Sequence, residues 1–179
     1  MNKSIKGQQG GFTLIELIVV IVILGILAAT ALPRFASLGG EARLASLNAA
    51  KGALSATSAM THGKFLMNRL VPIQVEGTVV DMNATSGYPT VNATTAQNLA
   101  NAAGLTAADY TVITQGAAAA DRPRVAANQM AIIPRGIAGT PAARNCFLMY
   151  TAATARDSAP VYAVGNPGRT AAQLVTDCE

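Results

Sequence analysis

Twenty-one residues, from Phe12 to Leu32, form a nearly unbroken apolar run, FTLIELIVVIVILGILAATAL. As a helix rising 1.5 Å per residue this run is about 30 Å long, the thickness of a bilayer core. Its only charge is Glu16. A carboxylate in hydrocarbon costs roughly 2.5 kcal/mol or more at mid-bilayer, so an intramembrane acid calls for a partner and a function. Eleven polar, basic residues, MNKSIKGQQGG, precede the run, and Pro33 follows it.

The junction carries a family resemblance. GG-FTLIEL, an apolar helix and a proline together resemble the prepilin signature of type IV pilins and type II secretion pseudopilins. ALPRFASLGGEARLASLNAAKGALSA and the SGYP at Ser86 to Pro89 resemble the mannose-sensitive haemagglutinin (MSHA) branch of type IV pilins. The resemblance implies a leader at residues 1–11, cut between Gly11 and Phe12 by a prepilin peptidase that also methylates the new Phe12 amine. Glycine at the cut leaves the backbone accessible, and Lys3 and Lys6 stay cytoplasmic by the positive-inside rule.

Removing Lys3 and Lys6 with the leader takes the basic count from 13 to 11 against 9 acidic residues, a balance of +2. No dense Lys/Arg cluster stands out, which argues against a nucleic-acid footprint. The 179 residues suffice for one modest domain and an anchor. With 4% aromatics and no Trp, the chain suits small-residue packing rather than a large aromatic core.

Four segments are expected: the leader 1–11; an apolar membrane and filament-core helix 12–33; an amphipathic helical half 34–62; and a globular β-domain 63–179 with a C-terminal disulfide loop. Gly25 lowers helix propensity and Pro33 removes a backbone donor, so a kink is expected near Pro33. The resemblance implies that helix is lost over this stretch in an assembled filament. Beyond it, Phe35, Leu38, Ala42, Ala45, Ala49, Ala53, Ala56 and Met60 share one face, and Leu44, Leu47 and Leu54 lie on another. Two apolar faces suit a helix buried against its own domain and against other subunits; a helix wholly inside one domain has the same periodicity.

After Gly63 the texture changes to short strand-like runs at 71–75, 78–82, 111–114, 130–134, 146–150 and 160–164, punctuated by Gly, Pro, Asn and Asp. Thr94 to Gly104 reads as a short helix capped by threonine. Asn83 and Asn92 match a glycosylation pattern and read as polar turn residues. The expected fold is α+β: a long N-terminal helix packed on a small antiparallel sheet.

Catalytic residues, cofactors and metal are not expected. The only histidine, His62, precedes Gly63 and reads as a helix-end residue. Two cysteines in an exported chain, Cys146 and Cys178, are compatible with one disulfide pinning the C-terminal segment. The resemblance implies that Asp157 to Arg169 are exposed there on a filament. It further implies a major pilus subunit that starts in the bacterial inner membrane and polymerises with itself into an extracellular adhesive filament. Its helpers would be an assembly ATPase, a platform protein and an outer-membrane secretin, and its target an unidentified surface receptor. The alternatives are a type II secretion pseudopilin, a DNA-binding pilin and a membrane-anchored enzyme.

Overall fold

A computed structural model describes residues 12–69 and 72–179, with the side chains of 33–37 set aside. The leader, Gly11 and the side chains of Pro33 and Phe35 lie outside the described residues. The chain divides between Ala36 and Ser37 into two compact units.

The first helix, α1, runs Leu14–Met67 and is helical through Gly25 and Pro33. The helix loss expected over Gly25 to Pro33 concerns an assembled filament; in the single chain these residues are helical. Thr30 donates its hydroxyl to the Leu27 carbonyl at 2.9 Å, a back-bond typical of threonine inside a helix. In the first unit no side chain of Leu14–Leu32 is buried, and its large apolar residues are 46–75% exposed.

In the second unit, α1 buries one stripe: Leu47, Ala50, Leu54, Thr57, Thr61 and Phe65. The spacing of three and four puts them on one side. Leu38, Ala42, Ala45, Ala49, Ala56 and Met60 face outward. The two apolar faces of the sequence are therefore one packed and one bare. α1 ends at Met67, five residues beyond the expected His62. Gly63 is accommodated inside the helix with no neighbour within 4 Å of its would-be Cβ, so its cost there is propensity alone, about 1 kcal/mol.

Six strands follow. β1 (Ile73–Val75) and β2 (Thr78–Val80) form a hairpin paired Val75↔Thr78. Glu76 and Gly77 make its two-residue turn with φ of 47° and 78°, the double left-handed geometry that suits the twist of a tight hairpin. β3 (Tyr110–Ile113), β4 (Gln129–Pro134), β5 (Leu148–Thr151) and β6 (Val161–Val164) form a four-stranded antiparallel sheet in sequence order. The expected single small sheet is thus two sheets. Met130, Ile132, Leu148 and Tyr150 join Leu47 and Leu54 in the core, and Ser46 meets the Tyr110 hydroxyl at 2.6 Å. The fold is α+β, with a helix packed on antiparallel sheet.

Two short helices complete the fold. α2 (Thr95–Ala102) is not capped by Thr94 as expected. Asn92 accepts from the amides of Thr94 and Thr95 at 2.8 and 3.0 Å, and the Thr95 hydroxyl accepts from the Asn92 amide at 3.0 Å. The longer Asx side chain, two residues earlier, reaches those free amides. α3 (Ala171–Asp177), absent from the sequence reading, opens on a reciprocal capping box between Thr170 and Gln173.

Candidate functional site: the helix terminus and the C-terminal staple

Glu16 sits in the first turn of α1. Its carboxylate accepts from the Thr13 amide at 2.9 Å and from the Thr13 hydroxyl at 2.6 Å. The Glu16 amide donates back to the Thr13 hydroxyl at 3.3 Å. Thr13-x-x-Glu16 is a capping box, a sequence signal that the emphasis on an unpaired intramembrane charge passed over. It satisfies two free amides where the helix dipole favours negative charge. Phe12 is 92% exposed just ahead of it. Gly25 has open space around its Cα.

At the other end, Cys146 and Cys178 form the disulfide, across 32 residues of sequence. Both are buried. The bridge ties the C-terminal cap of α3 to the start of the segment leading into β5. Arg43 on α1 adds a second tie, donating to the carbonyls of Cys178 at 2.6 Å and Glu179 at 3.1 Å. A guanidinium on terminal carbonyls matches the negative end of a helix. Gly40 permits the approach, since a Cβ there would stand 2.3 Å from the Val175 carbonyl oxygen. Arg169 and Asp177 pair across α3 with Nε–Oδ2 of 3.0 Å. Within the bridged segment, Asp157 to Arg169 is not a plain loop. Val161 to Val164 form the edge strand β6, alternately exposed and half-buried, and Gly165 is buried.

SGYP has a structural meaning that the sequence alone did not reveal. The Ser86 hydroxyl donates to the Ala153 carbonyl at 2.8 Å. Gly87, at φ 72°, lies so close to Phe65 that a Cβ would stand 2.6 Å from its ring. Tyr88 stacks on His62 with centroids 3.9 Å apart and planes within 2°. The Pro89 carbonyl accepts from the buried Tyr150 hydroxyl at 2.8 Å. Burial, reinforced by the neighbouring Tyr162, pushes that hydroxyl up from its ordinary range. Asn83 closes the loop by accepting from the amides of Thr85 and Ser86. His62 is therefore an interior helical residue whose Nδ1 meets the Gly87 carbonyl at 2.8 Å, not a helix-end residue.

Residues 6–32 match the prokaryotic N-terminal methylation motif. The chain is 39% identical over 84 residues to the type II secretion system core protein G of Pseudomonas aeruginosa, covering 47% of this chain and 57% of that protein. It is 50% identical over 50 residues to the type IV narrow pilus major component PilA5 of Thermus thermophilus, covering 28% of this chain and 43% of that one. The chain spans about half the length of these curated relatives. No solved structure matches. The motif and the apolar helix Leu14–Leu32 fit a precursor held in the inner membrane. The chain carries the prokaryotic N-terminal methylation motif over residues 6–32 and is similar to both a pilus component and a secretion-system core protein.

Proposed function

We propose that this protein is the major structural subunit of a type IV pilus of the MSHA kind, polymerising into an extracellular filament for surface attachment. The observation that carries the reading is the bare apolar surface of α1. Leu14 to Leu32 are uncovered within one chain, and in the second unit Leu38, Ala42, Ala45, Ala49, Ala56 and Met60 are exposed as well. Burying one large apolar side chain is worth roughly 1.5–3 kcal/mol, so such a surface requires cover. Lipid supplies it to the precursor, and parallel copies of the same helix supply it in a filament. Prepilin peptidase would cut between Gly11 and Phe12 and methylate Phe12. An ATPase, a platform protein and a secretin would then draw the subunit out.

The new Phe12 amine would give Glu16 a cation in place of its Thr13 hydrogen bonds, in the same chain or in the next subunit. Gly25 and Pro33 would let the helix yield during packing. The bridged segment Asp157 to Arg169 would face outward and meet the receptor.

Electron microscopy of sheared surface filaments, with N-terminal sequencing of their subunit, tests this reading. Filaments whose subunit starts at methylated Phe12 are expected; surface filaments lacking this chain refute it. The likeness to core protein G over 84 residues favours a second reading, a periplasmic pseudopilus. Loss of protein secretion with intact surface filaments, on deletion of the gene, would select it.

A further inference from the structure

The SGYP loop, the end of α1 and the turn before β6, where the Asp157 to Arg169 segment begins, line a groove of about 430 Å³. Its size falls within the roughly 300–1,000 Å³ of small-molecule sites. The stacked rings of His62 and Tyr88 both line it, held by the Gly87 contact. A carbonyl only accepts, so His62 Nδ1–H donates to Gly87, which in this tautomer makes Nε2 the acceptor nitrogen of the ring. Arg69 lies 5.8 Å over the Phe65 ring and reaches the groove from one side. Arg156 and Asp157 reach it from the other, on a turn closed by the Ser158 amide and hydroxyl, both donating to the Ala155 carbonyl. Asp157 sits at φ 63°, a left-handed conformation that costs an L-residue roughly 1–2 kcal/mol. Among the described residues neither arginine has a carboxylate partner, and neither the Asp157 carboxylate nor the Tyr88 hydroxyl makes a hydrogen bond.

Two guanidinium groups call for an anion, and carboxylate is what their fork binds with two parallel bonds. Asp157 and His62 Nε2 call for donors in the same ligand. A bare phosphate chain meets the first demand and not the second. A neutral sugar meets the second and not the first. Two stacked rings suit the flat carbon face of a saccharide. We propose that this groove binds an acidic saccharide, a hydroxylated ring bearing a carboxylate: Arg69 and Arg156 hold the carboxylate, and Asp157 and His62 accept from ring hydroxyls. The proposal deepens the attachment reading by naming the chemistry of what the filament surface holds.

The test uses the full-length chain in detergent, so that it does not depend on filament formation. Calorimetric titrations with glucuronate, glucose and inorganic phosphate are compared. Glucuronate is expected to bind with a dissociation constant of about 1 mM, at least tenfold tighter than glucose or phosphate. Arg156→Gln and Arg69→Gln should each weaken it about tenfold or more, as expected for a lost charge-assisted bond. Asp157→Asn, which keeps the left-handed turn accessible, should weaken glucuronate binding. All three side chains belong to exposed residues, so an unchanged melting temperature separates a binding effect from misfolding. Equal affinity for glucose overturns the arginine role. Equal affinity for phosphate, or tighter binding of a short oligonucleotide, makes the groove an anion site and overturns the saccharide. No glucuronate binding up to about 20 mM overturns the whole proposal, whatever electron microscopy shows of the filaments.

Discussion

Gly87→Ala should be among the most damaging single-methyl additions in the globular unit, and the structure supplies its own control. At Gly87 two penalties combine. The backbone is at φ 72°, which costs an L-residue about 1–2 kcal/mol. The new methyl would stand 2.6 and 2.8 Å from two Phe65 ring carbons and 3.1 Å from His62 Nδ1. Phe65 is buried and the His62 ring is held against Tyr88, so neither can simply swing away. Overpacking of this kind costs about 1–3 kcal/mol. The expected total is about 2–5 kcal/mol. Gly77 has nearly the same backbone, φ 78°, with nothing within 4 Å of its would-be Cβ, so Gly77→Ala should cost about 1–2 kcal/mol. The difference between the variants isolates the packing. Denaturant unfolding of the full-length, disulfide-intact chain in nonionic detergent, followed by tyrosine fluorescence, measures both. Equal losses for the two variants would show that Phe65 and His62 yield freely, and the account of SGYP as a closely packed loop would fail.

Tyr150→Phe removes the donor to the Pro89 carbonyl and should cost about 1–2 kcal/mol at neutral pH. Burial raises the folded-state pKa of Tyr150 above its unfolded value, so the folded chain holds its proton longer and stability falls as pH rises above about 10. The Phe variant should show a shallower alkaline loss, the remainder coming from Tyr162, whose hydroxyl burial also raises; an unchanged slope over pH 8 to 11 would reject this. Cys146→Ser opens a bridge spanning 32 residues and should cost about 3–4 kcal/mol by loop-closure entropy, while alkylation of the native, non-reduced chain should find no free thiol. Glu16→Ala should be cut and inserted normally yet give few or no surface filaments, because it leaves the Phe12 amine unpaired in a low-dielectric core, a loss of several kcal/mol; immunoblot and electron microscopy read the two steps separately, and normal piliation would sink the pairing.

What the sequence made legible was what period and punctuation encode. The six strand-like runs fall on the six strands, because Gly, Pro, Asn and Asp bound them. Asn83 and Asn92 are turn residues as read, each accepting from two amides downstream. The two faces of α1 beyond Ser37 follow from spacing alone. What stayed hidden depended on non-local contact. α3 has seven residues, too few for a helical period to emerge, and only its Thr170–Gln173 box marked it. The end of α1 was misplaced because Gly63 resembles a C-terminal cap, whereas nothing there requires φ above zero. The groove beside His62 joins residues up to 97 positions apart in sequence, and SGYP gave a likeness without disclosing that each of its four residues contacts a different partner. The disulfide was legible because the chain has two cysteines to pair.

The sheet order β3-β4-β5-β6 has a temporal consequence. Each strand pairs with its neighbour in the chain, so hairpins can zip up in the order of synthesis and little loop entropy is spent on each. Cys146, however, must wait for a partner 32 residues further on. At roughly 5–20 residues per second that interval is about 2–6 s. Throughout it Cys146 has no partner within its own chain. The last turn of α3, held by Arg43 on the Cys178 carbonyl, brings that partner into place.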